Sequence, residues 1–560
     1  MTTITPNNDV GTDSRAETLI KQQKFHKGGR SNFETYWQSL HDYYYIEAED
    51  ISRSYYPGTE VNASCLWDST TLESADVLAS GFMSYLTPPS SKWFGLRSRN
   101  PGNAGNERVS QYFERVVDEV NYALNRSNFY DVMHPSFKSS GVYGTSILLE
   151  EDDIQDDIRF YLVPIKNACL VEDGRGRVNA YFIEFEYTAN QAAQKFGEEK
   201  LSKEMRKEIE EKKGDEKKHQ FLLYIAERHT RDIKKSDKKN MKIEASWIDV
   251  EFKRTIDEGG YREWPIMCHR FDKRPGIAWG FSPAMKALPF ARMLNAIAKT
   301  NLRAMMKQTD PALALPSNAF LMPFNQNPRA VNYYNPAKMP NGKNDIFSIG
   351  GDGNPEAGIN MTEYYARKVK SLMYNDVFLA FDNLTKQMNN PEVMERINEK
   401  MTMLGSAVGR YISEVLNPVI IRTIDILERR GKLPPRPEEL LQDPSYEIDC
   451  ISQLAQAQRR SEFNSLVGGL NLAGQISQFK PDILDKISGD KVIEEVWSIL
   501  GAPTRVFNDD ADVEAIREAR GKAAQAEQQM MLANAGADVI EKGSQVDKNI
   551  AQASAAGKTK

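Results

Sequence analysis

The sequence predicts an α+β protein that is predominantly helical, with its strands in the first half and long helices in the second. Segments between residues 141 and 187 are short, rich in β-branched and aromatic residues, and bounded by turn residues, which is typical of strands. Residues 283–308 instead form a long helical pattern, and a further helix is expected at 361–381. The chain has 560 residues, enough for roughly two to four domains.

The composition excludes several classes of protein. Charged residues make up 27% of the chain and the net charge is −6, so a generally basic DNA binder is excluded and any nucleic-acid contact must be local. The four cysteines are far apart, which argues against a disulfide framework or zinc ribbon and favours a reducing compartment. No apolar run approaches the roughly 18 residues of a transmembrane helix, so no membrane insertion is expected.

The first half is predicted to begin with a flexible arm over residues 1–30. Thr70 and Glu73 have capping-box spacing at the start of the second helix. Helices are expected at 32–50, 69–86, 107–126 and, densely charged, 197–217. Beyond the strands within 141–187, further strands are expected at 220–228, 245–254 and 264–271.

The second half is dominated by helices around a small module. Residues 311–358 hold seven prolines and five glycines, which favours short strands and turns. Asn360 and Glu363 can cap the helix that follows, and residues 382–391 form a polar loop. The other expected features are a bend of 283–308 near Pro289, a long helix from Pro391 to Arg430 kinked at Pro418, helices over 451–500, an alanine-rich helix after 512 and a disordered end.

Catalytic and metal-binding motifs are not found in the sequence. "GKT" at 557–559 resembles the end of a P-loop, but the required glycine is replaced by Gln552 and no strand precedes it. The six histidines show no local metal-ligand spacing, and Cys268 beside His269 indicates a core cysteine next to a surface histidine. We therefore expect no enzyme activity, cofactor or metal.

One helix carries a basic stripe, formed by Arg292, Lys299, Arg303 and Lys307. Residues 283–309 contain no Asp or Glu. At about 100° per residue, the last three cations fall about −20°, +20° and +60° from Arg292. Apolar residues are expected on the opposite side: Phe290, Met293, Leu294, Ile297 and Met305.

Three interpretations of the basic stripe remain open. It is a solvated face, it pairs with acids of a neighbouring subunit, or it contacts a polyanion without reading sequence. The polar loop offers comparable groups, Lys386, Gln387, Asn389 and Asn390, that can bond phosphate oxygens.

Four long segments resemble the head-to-tail connector (portal) family of short-tailed bacteriophages. They are "LWDSTTLESADVLASGFMSYLTPPSSKWFGLR" (66–97), "NFYDVMHPSFKSSGVYGTSILLEE" (128–151), "GFSPAMKALPFARMLNAIAKTNLRAMMKQTDPALALP" (280–316) and "NNPEVMERINEKMTMLGSAVGRYISEVLNPVIIRTIDIL" (389–427). They occur in the family's order, and the resemblance covers roughly residues 30–530.

The resemblance implies the portal fold, assembled as a ring of twelve subunits around a channel for DNA packaging and ejection. The parts would be an arm (1–30), a wing (31–280 and 392–450), stem helices (281–310 and 359–381), a β clip (311–358), a tunnel loop (382–391), a helical crown (451–530) and a disordered tail (531–560). The basic stripe and the polar loop would then line the DNA channel.

The resemblance also implies partners and a location. The clip would dock the terminase large subunit and then the tail adaptor protein. Other partners would be further copies of the chain, double-stranded DNA, major capsid and scaffolding proteins, and internal core or ejection proteins. The protein would be assembled in the host cytoplasm and lie in the virion at the vertex between head and tail.

Two other functions fit parts of the sequence. The first is another structural virion component, such as a tail adaptor or internal head protein, and a ring of different symmetry would indicate it. The second is a DNA-processing enzyme such as a nuclease, which would need clustered carboxylates for metal ions. No enzymatic motif supports the second.

Overall fold

A computed structural model gives the fold. It describes residues 13–53, 66–100, 106–310 except 233, 234 and 236, 312–314, 320, 323, 331–338, 347–349, 355–384, 404–442, 445–450, 466–475, 488–489, 492–493, 496, 513, 515–523, 525 and 548. Contacts divide the chain into two compact units. The larger comprises residues 1–96, 115–435 and 448–458, and the smaller 97–114, 436–447 and 459–560.

The described part of the chain contains both helices and strands, which confirms that the protein is of mixed class, as predicted. The helices are α1 Ser14–Gly29, α2 Ser31–Tyr44, α3 Thr70–Leu86, α4 Glu107–Arg126, α5 Phe129–Tyr143, α6 Ala189–Phe196, α7 Lys203–Glu210, α8 Pro283–Thr309, α9 Pro355–Leu372, α10 Asn375–Leu384, α11 404–411, α12 Asn417–Arg429 and α13 Glu438–Gln442. The strands are β1 Phe94–Ser98, β2 Thr145–Asp153, β3 Asp157–Val163, β4 Ala168–Glu172, β5 Val178–Thr188, β6 Lys218–Glu227, β7 Ile243–Asp249, β8 Arg254–Tyr261, β9 Ile266–Arg270, β10 Ala312–Ala314, β11 Phe347–Ile349 and β12 Tyr446–Cys450.

Two antiparallel sheets organise the larger unit. One has five strands in the order β4-β5-β6-β7-β8, and each strand pairs with its neighbour in sequence. The other has three strands in the order β3-β2-β9, so the central strand β2 has a partner on each edge. In addition, β1 pairs with β12 and β10 with β11.

Two strands of the three-stranded sheet are buried on both faces over most of their length. Residues 145–150 of β2 are all buried, as is the whole of β9. The expectation of a surface histidine beside a core cysteine is therefore wrong, because both Cys268 and His269 are buried. A strand covered on both sides buries consecutive residues, which point to opposite faces. The His269 Nδ1 lies 2.6 Å from the Ser140 hydroxyl, and burial lowers the pKa of His269 to about 3.

The first ordered element, α1, contradicts the predicted flexible arm over residues 14–29. Its turns bury Ala16, Leu19 and Ile20, which pack against a cluster on the five-stranded sheet that includes Phe182 and Ile248. The pattern was missed because the buried stripe is narrow and the rest of the helix is polar. Ion pairs also join α1 to the sheet. For example, Lys27 Nζ lies 2.8 Å from a Glu184 carboxylate oxygen.

We expect the protein without residues 1–30 to be less stable than the protein without residues 1–12, because only the first deletion removes α1. Burial of a leucine or isoleucine side chain contributes about 1.5–3 kcal/mol, and α1 buries Leu19 and Ile20. The two truncated proteins can be compared with the full chain by thermal unfolding. Equal melting temperatures for all three would mean that α1 does not hold the sheet.

Several helix boundaries differ from those predicted. The charged helix expected over 197–217 is only α7, because Ser202 caps it and turns follow it. Thr70 and Glu73 form no capping box, since Ser69 is the N-cap residue and its hydroxyl donates to the Glu73 carboxylate. The helix expected to start at Asn360 starts at Pro355 instead.

The predicted kink at Pro418 takes the form of a π-helical turn. Residues Ile412–Leu416 are π-helical and connect α11 to α12, in which Pro418 lies in the first turn. Proline lacks an amide hydrogen and clashes with the carbonyl four residues earlier, here that of Glu414. The wider π turn accommodates both effects.

The smaller unit is described over fewer residues. In it the Arg97 guanidinium lies 3.3 Å from the Glu447 carboxylate, and the Asn106 amide donates to Glu439 over 3.3 Å. Residues 515–523 are helical, as the alanine-rich pattern predicts. Most of the segment predicted as a crown lies outside the described residues. No helix among those described is long and apolar enough to cross a membrane.

Candidate nucleic-acid interface

The basic stripe lies on a two-helix hairpin formed by α8 and α9. The Asn301 amide donates to the Thr362 hydroxyl over 3.2 Å, and the Phe290 and Tyr365 rings lie 6.4 Å apart. Later residues of α8 contact earlier residues of α9, so the two helices are antiparallel. At Gly358 a Cβ would overlap the Asn301 side chain, so this glycine permits the close approach of the helices. Beyond α8, β10 pairs with β11 just before α9 begins.

The hairpin is buried at one end and exposed at the other. The Ser282 hydroxyl accepts a hydrogen bond from the Met285 amide and so caps α8, whose first turns bury residues such as Leu288 and Leu294. After Asn295 no residue of α8 is buried. On α9 the described buried residue is Val369, near the end of the helix. The exposed end therefore holds three of the four cations of the basic stripe.

The basic stripe faces away from α9. Phe290 and Asn301, which contact α9, lie about 160° and 180° around the helix from Arg292. Arg292, Arg303 and Lys307 are exposed and Lys299 is half-buried. The predicted cationic face therefore exists as a surface of the larger unit, with the α9 contact behind it.

The four cations differ in their surroundings. Among the described residues, no acidic side chain forms an ion pair with any of them. The Lys299 ammonium lies 5.2 Å from the centre of the Trp67 ring, in a cation–π contact. Burial raises the pKa of Tyr36, and the charge of nearby Arg292 opposes that rise. Lys286, the remaining cation of α8, lies off the stripe, with its Nζ 3.8 Å from an Asp272 carboxylate oxygen.

The apolar side predicted for α8 is only partly buried. Leu294 is buried, and Phe290 and Ile297 are half-buried, but Met293 and Met305 are 50% and 39% exposed. In a single copy these two methionines therefore remain exposed. α9 packs on one flank only, so much of the helix circumference stays uncovered. The exposed large apolar residues of the hairpin are Met293, Leu302, Met305, Met306, Ile359, Met361 and Tyr364.

The second predicted stem helix, 359–381, is interrupted. α9 ends at Leu372, and α10 starts at Asn375 after a turn in which Tyr374 has a φ of 59°. The predicted polar loop begins inside a helix, because residues 382–384 belong to α10. Lys386, Gln387, Asn389 and Asn390 lie outside the described residues.

Two cations on α9 were missed by the sequence analysis. Arg367 and Lys368 are exposed and lie within one helical turn of Tyr365, which contacts α8 near Arg292. Their signal was the pair of adjacent basic residues in a predicted helix. This signal was overlooked because Glu356 and Glu363 on the same helix make the net charge of α9 less positive.

Comparison with known proteins gives the family. The family model of the bacteriophage head to tail connecting protein matches residues 16–507, most of the chain. The chain belongs to this family. The family is defined by a connecting role between phage head and tail, which is structural rather than catalytic.

Two curated relatives of this connector family align over nearly their full length. The portal protein of Salmonella phage epsilon15 is 28% identical over 537 residues, which cover 94% of each chain. The probable portal protein of Bordetella phage BPP-1 is 28% identical over 537 residues, covering 92% of this chain and 93% of that relative. The resemblance found in the sequence to the connector family is thereby confirmed.

Proposed function

We propose that this chain is the portal subunit of a short-tailed phage and that twelve copies form a ring with a central DNA channel. Its family membership and the names of its two relatives support the portal role. The observation that carries the assembly is the α8–α9 hairpin, whose exposed end combines apolar side chains with unpaired charge. Exposed apolar surface of this kind is typical of interaction sites, and identical copies around an axis would cover it in a closed ring.

In this proposal the basic stripe and the polar loop handle DNA. Arg292, Arg303 and Lys307 are exposed and form no ion pair with described residues, so their charge is available to phosphates. The neutral amides of Gln387, Asn389 and Asn390, with Lys386, would add contacts that need no sequence reading. A few cations per subunit, supplemented by neutral amides, would hold DNA weakly enough for it to slide through the channel.

The remaining parts are assigned by the same proposal. The module that follows α8 and precedes α9 would be the clip, docking the terminase large subunit and later the tail adaptor. Capsid, scaffolding and internal core or ejection proteins would contact the wing and crown. The ring would assemble in the host cytoplasm and lie at the head–tail vertex of the virion.

Electron microscopy of the purified full chain tests the assembly. We expect closed rings of twelve copies with a central channel, and native mass spectrometry should give the mass of twelve chains. Monomers under assembly conditions would contradict the ring. A ring of another symmetry would indicate a tail adaptor or another virion component.

Charge neutralisation tests the role of the basic stripe. We expect a variant with Arg292, Arg303 and Lys307 replaced by Gln to form rings but to package DNA more slowly. Its DNA binding should also depend less on salt, with the slope of log affinity against log salt reduced by about 0.9 for each phosphate that the variant no longer neutralises. Lys299 is left unchanged because it contacts Trp67.

The matched control replaces three cations outside α8 that form no ion pair with described residues, Lys21, Lys24 and Lys203, with Gln. These residues are exposed in the described structure, and the control removes the same amount of charge. Normal packaging and an unchanged salt slope in the stripe variant would refute the DNA role. Failure of the stripe variant alone to form rings would make the stripe a subunit interface.

A further inference from the structure

A histidine and two aspartates converge at the end of α2. His41 and Asp42 lie in the last turn of this helix, and Asp50 lies in the segment that follows it. The His41 Nδ1 is 3.3 Å from an Asp42 carboxylate oxygen and 4.0 Å from an Asp50 oxygen. All three atoms lie within 4.8 Å of one another. The side chains of His41 and Asp50 are only 7% and 5% exposed.

The contact made by Nε2 of His41 identifies which ring nitrogen carries the hydrogen in the neutral form. Nε2 lies 3.2 Å from the backbone carbonyl oxygen of Ala48. A carbonyl oxygen only accepts hydrogen bonds, so Nε2 must carry the hydrogen. In the neutral ring Nδ1 then presents a lone pair to two carboxylates. In this tautomer the Nδ1 lone pair faces the two carboxylate oxygens, and a cation between the three atoms would bind all of them.

A second buried histidine, His219, contacts two carboxylates in a different arrangement. His219 has a carboxylate at each nitrogen, Glu208 at 2.8 Å from Nε2 and Glu251 at 3.2 Å from Nδ1. A doubly protonated ring satisfies both contacts, and one ion cannot reach both nitrogens. At His41 both carboxylates share one nitrogen. A proton there would bond the nearer Asp42 and leave Asp50 beyond hydrogen-bonding distance.

We propose that His41 Nδ1 and the carboxylates of Asp42 and Asp50 bind a divalent transition-metal ion such as Zn²⁺. At zinc–ligand distances of 2.0–2.2 Å, tetrahedral ligands lie about 3.4 Å apart, and the separations of 3.3 and 4.0 Å bracket that value. One imidazole and two carboxylates favour zinc over magnesium, which prefers oxygen ligands and keeps its water. The Asp42 side chain is 23% exposed, so solvent reaches the cluster and can supply a fourth ligand.

Surrounding hydrogen bonds hold the three ligands in place. The Gln38 amide donates to the same oxygens, at 2.9 Å from Asp42 and 3.3 Å from Asp50. The other Asp50 oxygen accepts from the backbone amides of Ser52 and Arg53, at 3.0 and 2.7 Å. The Nε2 contact with Ala48 is the kind of outer bond that fixes the tautomer of a metal-binding histidine. The spacing of residues 41, 42 and 50 matches no metal motif, and for that reason the sequence predicted no site.

The cation would act as a structural clamp. It would tie the end of α2 to the segment 45–53, whose Asp50 carbonyl also accepts a hydrogen bond from Lys166 over 3.0 Å. Lys166 precedes β4, so the clamp would join this segment to the five-stranded sheet. A ligand that binds only the folded state stabilises it in proportion to the logarithm of its concentration.

Calorimetric titration of the chelator-treated full chain with zinc chloride tests the proposal. We expect one zinc ion per chain, a higher melting temperature with zinc and no comparable effect of magnesium. Asp42→Asn and His41→Gln should each weaken zinc binding at least about tenfold, since each removes a ligand. His229→Gln, which changes an exposed histidine, is the matched control and should bind as the wild-type protein does.

A second measurement needs no variant. Cobalt(II) in the site should give the visible absorption of a low-coordinate ion with nitrogen and oxygen ligands, displaced by one equivalent of zinc. The proposal is overturned if zinc does not bind, or if well-folded Asp42→Asn and His41→Gln bind it as the control does. It is also overturned if nuclear magnetic resonance finds His41 doubly protonated in excess zinc.

Discussion

Replacing Glu150 with glutamine is expected to make the protein increasingly more stable than wild type as the pH rises from about 4.5 to about 8. The Glu150 side chain is fully buried in β2. One carboxyl oxygen accepts a hydrogen bond from the Thr423 hydroxyl over 3.0 Å. The other has no hydrogen-bond partner among the described atoms. Burial raises the pKa of Glu150 to about 8, and the charge of Arg422 opposes the rise.

The direction of the pH effect follows from proton binding. In the unfolded chain the pKa is near 4.5, so between that value and about 8 the folded form binds more protons. This contribution to stability is fully present below the unfolded pKa and is lost as the pH rises through the folded pKa. A shift of one pKa unit corresponds to about 1.4 kcal/mol, so the loss is on the order of a few kcal/mol. Glutamine cannot ionise and does not incur it.

Urea unfolding at a pH of about 6 and about 9 measures the effect. The wild-type free energy of unfolding should fall relative to that of Glu150→Gln between these conditions. Glu151→Gln is the matched control, because Glu151 is the next residue of the strand, is partly exposed and lies 3.4 Å from Lys195. Parallel loss of stability in wild type and Glu150→Gln would show that Glu150 is ionised throughout and balanced by Arg422.

Replacing Gly81 with alanine is expected to destabilise the protein by about 1–3 kcal/mol, the usual cost of overpacking a core. Gly81 lies in α3, where a Cβ would overlap the ring of Phe378 in α10. The ring has little room to move, since it lies 5.5 Å from the Phe82 ring and 6.0 Å from that of Tyr85. Alanine would therefore push α10 away from α3.

Chemical unfolding of two further variants separates this clash from a general effect of glycine replacement. Gly409→Ala is the control, because Gly409 is an exposed residue of α11 with no atom within 4 Å of its Cβ position. It should be neutral or slightly stabilising. Combining Gly81→Ala with Phe378→Leu should cost less than the sum of the single changes. Strict additivity would mean that the ring is not the obstacle.

The elements that sequence reasoning found are those with strong local patterns. The predicted helix 107–126 coincides with α4, whose Val116, Val120 and Leu124 recur at helical spacing. α1 was missed because its apolar residues are few and their burial depends on a distant sheet. The break between α9 and α10 was missed for a related reason. Asn375 and Phe378 are held by contacts with α3, and no local pattern encodes a contact so distant in sequence.

Sequence reasoning predicts which side of α8 carries the cations of the candidate site, but it does not predict which residues of the helix are exposed. Helical geometry placed Arg292, Arg303 and Lys307 on one side of α8 without knowledge of its neighbours. Whether Met293 and Met305 were covered depended on where α9 packs, which is a tertiary contact. The same limit applies to the His41 cluster, because the approach of Asp50 to the helix end follows from how the segment 45–53 folds back.

The corner at Tyr374 has a mechanical consequence. α10 is fixed against α3 at Phe378, and Val369, the described α9 residue that is buried, lies near the end of α9, while Thr362 and Tyr365 contact α8. The 18 residues of α9 correspond to about 27 Å, so a rotation of about 5° at the corner would move the far end by about 2 Å. In these terms α9, together with the exposed end of α8 that packs on it, is a lever with its fulcrum on α3. A small change in packing between α10 and α3 would therefore shift the far end of α9 by about 2 Å while every helix stays intact.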